Sequence, residues 1–298
     1  MENRKAYTAI SVVMGIVFLN SLFWTGKFLL SEGKHFYGSG YWINTFFTFL
    51  GIAGLVLFAA SKFRNSILLR IFMCKVIISL PETIWYEYLF FSGDRVKDFS
   101  DPMIYIGVVL TMMMAVACIA GLWMLTKQRV PKLQHYMIGQ ESAVAEFTPA
   151  SGWSRLANYL VDISFIYYTV YSLIQTMRYS RFASGGYGYE REDFSAGFVP
   201  VIVLLLYYII LEGIFNTTAG KCATNTVIVN SSGEVPSVGQ RLGRTLCRFI
   251  PLETITFLVK GNRGWHDSIT NTYVVPSADR YEEKEIEDEL AGFLQEQV

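Results

Sequence analysis

An all-α integral membrane protein is what this sequence predicts: about six transmembrane helices with a short cytoplasmic appendage of strand and interfacial helix. Three observations predict it. Of 298 residues, 52% are hydrophobic and only 17% are charged. The apolar residues gather in blocks of roughly 20, the length that crosses a bilayer core of ~30 Å, instead of recurring at helix or strand period. Lys and Arg concentrate in alternate connections between the blocks, as they do when those connections stay on the cytoplasmic side.

Six spans follow, at 6–30, 41–61, 67–91, 103–126, 157–178 and 197–215. The first comes after Met-Glu-Asn-Arg-Lys, is longer than the apolar stretch of a secretory signal and is followed by no small-residue cleavage pattern, so it reads as a retained span. The third is interrupted by Arg70, Lys75, Glu82 and Glu87, and Pro81 near its middle predicts a kink or break. Arg4 and Lys5 precede span one, Lys62, Arg64 and Arg70 mark the second connection, and Lys127, Arg129 and Lys132 follow span four. Both termini are therefore expected in the cytoplasm, in a cell or inner membrane. Arg181 and Arg191, in the loop between spans five and six, run against that bias.

The spans divide the chain into a four-helix membrane region at 1–126, a cytoplasmic linker at 127–150, a second membrane domain at 151–277 and an acidic tail at 278–298. Beyond span six, Thr226-Val-Ile-Val229 reads as a strand and Ser231-Ser-Gly-Glu234 as a turn. Arg241, Arg244 and Arg248 then recur at i, i+3 and i+7, opposite Leu242, Leu246 and Ile250. That is the pattern of a helix lying in the membrane interface with its basic face toward anionic headgroups, and Pro251 ends it. The stretch 255–259 is too short to span. The tail, with Glu282, Glu283, Glu285, Glu287, Asp288 and Glu289, reads as a solvated segment.

Several functions are disfavoured by composition and spacing. Net charge is zero, so bulk electrostatics do not point to a nucleic-acid partner. Cys74, Cys118, Cys222 and Cys247 share no metal-like spacing and form no disulfide framework, and His35, His135 and His266 are scattered. No metal or other cofactor is expected. Gly220-Lys221 departs from a phosphate-binding loop, because Phe215 stands where a glycine is needed and Cys222 where Ser or Thr is needed. His266-Asp267 has no nucleophile elbow to serve, so an enzyme is not expected. Tyr167-Tyr168, Tyr207-Tyr208 and Phe46-Phe47 read as packing and lipid-facing surface.

Four fragments remain: Arg155-Leu-Ala-Asn-Tyr-Leu-Val-Asp162, Tyr207-Tyr208 followed by Glu212, Gly220-Lys221 before Val-Ile-Val, and Trp265-His-Asp267 before Thr270-Asn-Thr-Tyr-Val-Val275. Arg155 and Asp162, seven residues apart, lie on one side of a helix roughly 10 Å apart along its axis. In order and spacing the fragments resemble the RDD family of membrane proteins over residues 151–277, with Arg155, Asp162 and Asp267 as the matching arginine and aspartates. The family usually continues Gly-Lys with a further glycine, whereas this chain reads Gly220-Lys-Cys-Ala-Thr-Asn225. The resemblance implies a membrane protein and, from members linked to cation/proton antiport, transport of a small ion or solute.

Position sharpens that expectation. Arg155, Asp162, Glu212, Lys221 and Asp267 converge on one membrane–water boundary, either as an ion- or proton-handling site or as a structural polar cluster, because charge near lipid is tolerated where it is paired or wet. Lys75 and Glu82 in span three are a second candidate, as intramembrane ionisable groups. The expected partners are the lipid bilayer, monovalent cations or protons, and a second copy or another membrane complex. The alternative function is a non-catalytic membrane scaffold or regulatory partner of such a complex.

Overall fold

The computed structural model describes residues 2–30, 39–92, 102–138, 142–183, 194–250, 256 and 264–279. Helices hold 74% of them, so the all-helical expectation stands for the frame of the molecule, with strands added to one part of it. The helices are α1 (Glu2–Leu30), α2 (Ser39–Ala60), α3 (Ile67–Ser92), α4 (Pro102–Lys127), α5 (Gly152–Ala183) and α6 (Phe194–Tyr208), the last continued by a π turn over Ile209–Ile214. Each expected span thus coincides with a helix. Among the described residues one helix, Val108–Lys127, is long and apolar enough to cross a membrane, and Lys5–Leu19, Thr45–Ala60 and Phe198–Ile214 are shorter apolar helices. α3 carries its charges along its length and runs through Pro81 without interruption.

The chain divides into two compact units. The first comprises Met1–Leu122 and Ser164–Leu204, the second Trp123–Ile163 and Leu205–Val298. This differs from a boundary at a linker. Residues 127–150 are not a tether; they form β1 (Arg129–Pro131), β2 (Leu133–Ile138) and β3 (Ser142–Phe147) of the second unit. The acidic tail and nearly all of 251–263 lie outside the described residues.

In the first unit, α2 and α3 form a tight hairpin whose turn is built by a Schellman motif. The Phe63 N–H donates to the Phe58 carbonyl at 2.8 Å and the Lys62 N–H to the Ala59 carbonyl at 3.1 Å. Lys62 takes the left-handed conformation that glycine usually supplies (φ 54°), and the accompanying apolar contact is the Phe58–Phe63 ring pair at 5.1 Å. Above the turn, Gly54 lets α2 touch the α3 backbone, since a Cβ there would lie 2.7 Å from the Leu69 nitrogen. Arg70, grouped by sequence with the charges of this connection, is instead buried at 1% exposure.

The second unit is organised by its last strand. β5 (Thr272–Asp279) lies between β1 and β4 (Thr226–Asn230), antiparallel to both, in the register Val130↔Ala278 and Ile228↔Val274. β2 and β3 pair as a separate hairpin, Leu133 opposite Phe147. Three short helices complete the unit: α7 (Ala219–Thr224), α8 (Val238–Cys247) and α9 (Trp265–Ile269). Asn216, Asn225 and Asn271, each left-handed with φ between 51° and 54°, turn the chain out of the π turn, α7 and α9. α8 begins with a capping box, Ser237 and Gln240 bonding reciprocally.

The hairpin yields a direct prediction. Gly54→Val forces a branched side chain into the Leu69 backbone, so thermal unfolding of the purified protein should show a loss of about 1–3 kcal/mol, the range of an overpacked contact. An unchanged melting temperature would mean that α2 and α3 are not this close.

Candidate functional site

The polar centre of the second unit starts at Asp162, one face of α5. Its Oδ1 accepts the Tyr207 hydroxyl at 2.6 Å and the Gly220 N–H at 2.7 Å, and its Oδ2 accepts the Thr218 hydroxyl at 2.9 Å. Both hydroxyls are themselves acceptors, Tyr207 from the Ala219 N–H and Thr218 from the Lys221 N–H. Asp162 therefore holds the start of α7 against α5. Gly220 is required for this approach: a Cβ there would fall 2.2 Å from the Asn158 carbonyl oxygen, one turn before Asp162. The glycine missing at Cys222 does not disturb it, because the close contact is made by Gly220 and the left-handed residue is Asn225.

Glu212, in the π turn that ends α6, is the second centre. Its carboxylate accepts Lys221 Nζ at 2.9 Å, Arg244 Nε at 2.6 Å and Arg248 Nη2 at 3.0 Å. The Arg248 guanidinium also lies 3.8 Å above the Tyr208 ring, a cation–π stack. Asp267, at the first turn of α9, is the third. It pairs with Arg155 from α5 and Arg244 from α8, and His266 Nε2 lies 3.3 Å from its Oδ1. Arg244 Nη1 also donates to the Thr272 hydroxyl on β5. One guanidinium thus joins α6, α8, α9 and β5, a task suited to the planar fork of arginine.

All five boundary residues expected from sequence are buried here. They occur as connected pairs: Arg155 with Asp267, Lys221 with Glu212, and Asp162 with the backbone of α7. Arg244 links the first two pairs. The sequence reading missed Arg244 and Arg248 as members because their helical spacing looked like an exposed basic face. That expectation is corrected: Arg244 is 0% exposed and Arg248 is spent on Glu212 and Tyr208, so neither is presented to headgroups, and Arg241 alone of the three keeps a half-open side chain outside these pairs. The reason is electrostatic, since two buried carboxylates without guanidinium partners would be far costlier than a bare helix surface. Of Tyr207 and Tyr208, read as packing and lipid-facing surface, the packing half holds: both are buried, and both belong to the site. Asn158, Thr218 and Thr272 were also missed; short polar residues carry little pattern of their own.

The other candidate, Lys75 with Glu82, lies on α3 in the first unit. Lys75, half-buried in α3, has its ammonium 6.0 Å from the Phe47 ring, and both belong to the first unit. The Glu82 side chain lies outside the described residues, as does that of His135. No group of three or more His, Cys, Asp or Glu suited to a metal ion occurs among the described residues.

Electrostatics fix the charge states at the outer end of the network. Burial alone would push the Asp267 carboxyl up, but Arg244, with His266 and Arg155, holds it well below the usual carboxylate range. Burial likewise opposes charge on Arg244, and Asp267 and Glu212 together raise its pKa above the ordinary arginine value. Asp267 and Arg244 are therefore a permanent ion pair at neutral pH. A fully paired buried network adds little net stability over apolar packing, yet removing one member strands the others. Its physical effect is to specify one arrangement of the elements it joins.

Residues 149–271 match the model of the RDD family, in the C-terminal half of the chain. No curated protein and no solved structure matches the chain.

Two measurements check the network. Asp267→Asn leaves Arg155 and Arg244 facing a neutral group and should lower stability at pH 7 by about 3–5 kcal/mol. Because the folded Asp267 carboxyl is depressed, its contribution is present above its unfolded pKa of about 3.9 and lost as pH falls through the folded value. The gap between wild type and variant should then persist at neutral pH and close only in acid below about pH 4. Arg244→Lys keeps the charge but cannot reach Glu212, Asp267 and Thr272 together, so it should melt far below wild type; wild-type stability in that variant would remove the fork from the account.

Proposed function

We propose that this chain is a multi-pass membrane protein whose RDD segment serves as a non-catalytic scaffold, clasping the ends of two membrane helices to a small strand-and-helix unit that meets another membrane component. The observation that carries this reading is the closure of the polar centre. Glu212 and Asp267 are each surrounded by cations within hydrogen-bond reach, and their side chains have no solvent exposure. A group that loads and releases an ion needs a changeable partner or an open path; a carboxylate with several fixed cations has neither. Six spans at 6–30, 41–61, 67–91, 103–126, 157–178 and 197–215, with both termini in the cytoplasm, complete the proposal. The apolar outer faces of α1, α2, α4 and α6 support it, with Leu19, Phe46, Val56, Val116 and Ile202 all exposed.

A second reading, cation/proton exchange, is favoured by one specific feature. Asp162 differs from the other two carboxylates in that its direct hydrogen-bond partners, Tyr207, Thr218 and the Gly220 N–H, are all neutral. It is the carboxylate at which a proton could come and go.

The two readings separate in vesicles. The reconstituted full-length chain, challenged with Na+, K+ or Li+ gradients and followed with an internal pH dye, should show no proton flux above protein-free vesicles, and Asp162→Asn should change nothing but stability. A cation-dependent flux that Asp162→Asn abolishes while the protein stays folded would transfer the conclusion to exchange.

A further inference from the structure

α8 is inverted relative to a surface helix of a water-soluble domain. Its Arg244 and Arg248 are turned inward to Glu212 and Asp267. What remains outside is apolar. Val238, Leu242, Leu246 and Phe249, spaced by four, four and three residues, form one stripe of the helix and its exit. They are 58%, 39%, 65% and 45% exposed, and Ile269 of the adjoining α9 adds another apolar side chain at 63%. Scattered exposed apolar residues are ordinary, but a continuous stripe needs a cover.

Two features identify the cover. Arg244 and Arg248 contact Glu212 at 2.6 and 3.0 Å, and Glu212 lies in the last turn of the apolar helix Phe198–Ile214. α8 therefore stands within one arginine side chain of the place where that apolar helix ends. Its length is the second feature. Ten residues of α-helix extend about 15 Å, half of what a bilayer core requires, so α8 can lie along a membrane boundary but not through it.

We propose that the stripe Val238, Leu242, Leu246 and Phe249, with Ile269, is inserted into the acyl–headgroup boundary of the bilayer, so that lipid is its occupant and the second unit is held flat on the membrane. Arg241, half-buried at the flank of the stripe, lies where a headgroup phosphate would meet it. The orientation is opposite to that of a helix that offers its cations outward: here apolar contact supplies the attachment and the internal carboxylates consume the charge. The inference rests on the reading of the chain as a membrane protein, but not on the choice between scaffold and exchanger.

The test uses the full-length chain in phosphatidylcholine–phosphatidylglycerol vesicles. A polarity-sensitive fluorophore is attached through Leu246→Cys, in a Cys247→Ser background, with Val238→Cys as the replacement should that variant not fold. Ser231→Cys, on the exposed turn after β4, is the water control, and Val116→Cys, on the outer face of α4, is the membrane control. The label at position 246 should emit at blue-shifted wavelength and be quenched several-fold more by lipids brominated near the headgroup than the label at 231. Water-like emission at 246, or shielding from iodide without quenching by brominated lipid, overturns the inference if the label at 116 is lipid-quenched; the second pattern would point to a protein cover. If neither 116 nor 246 meets lipid, the membrane reading itself fails and this inference falls with it.

Discussion

The guanidinium of Arg244 is the constraint on which the second unit depends. It occupies a place that water cannot reach and satisfies Glu212, Asp267 and Thr272 from one rigid fork. Each partner comes from a different element, so the π turn, α9 and β5 are placed by a single side chain. Arg155 and Lys221 extend the same logic to α5 and α7. Such a network yields little net stability, because every ion was well solvated in the unfolded chain. It does make alternatives expensive. Any slip of α8 by one residue would take Arg244 away from both carboxylates and Arg248 from Glu212, leaving Lys221 and Arg155 alone to compensate them.

Close backbone approach works in parallel with charge. Gly220 allows α7 to touch α5 at Asn158, and only at that distance can its N–H reach Asp162. Asn158 in turn accepts the Thr224 hydroxyl and donates to Thr226, so that the end of α7 and the start of β4 are tied to the same helix. The π turn has a related role. By widening the end of α6 it carries Glu212 into the cations of α7 and α8 while Tyr207 and Tyr208, just before it, stay in contact with Asp162 and Arg248.

Much of this was legible in the sequence, and the limits are physical. Blocks of about 20 apolar residues located the helices because strands are far shorter than such runs. Arg155, Asp162, Glu212, Lys221 and Asp267 stood out because charge at the edge of such blocks is rare. The strand at 226 was marked by a β-branched run before turn residues. Arg244 and Arg248 were misplaced for an instructive reason: helical spacing says which residues share a face, but not which face is buried. That decision belongs to Glu212 and Asp267, far away in sequence. The pairing of 129–131 with 277–279 was equally invisible, since a three-residue strand has no period and its partner lies nearly 150 positions on. Three asparagines at left-handed helix ends were a readable signal that went unused.

The central claim is that separate ion pairs act as one unit. A double-mutant cycle between Arg155→Met and Glu212→Gln tests it most directly, because Arg155 pairs with Asp267, Glu212 pairs with Arg244, and the Arg244–Asp267 pair joins the two. Unfolding free energies of wild type, both single variants and the double variant of the full-length protein should give a coupling energy above about 1 kcal/mol, as within one network. Additivity to within about 0.5 kcal/mol, the behaviour of independent sites, would contradict the account.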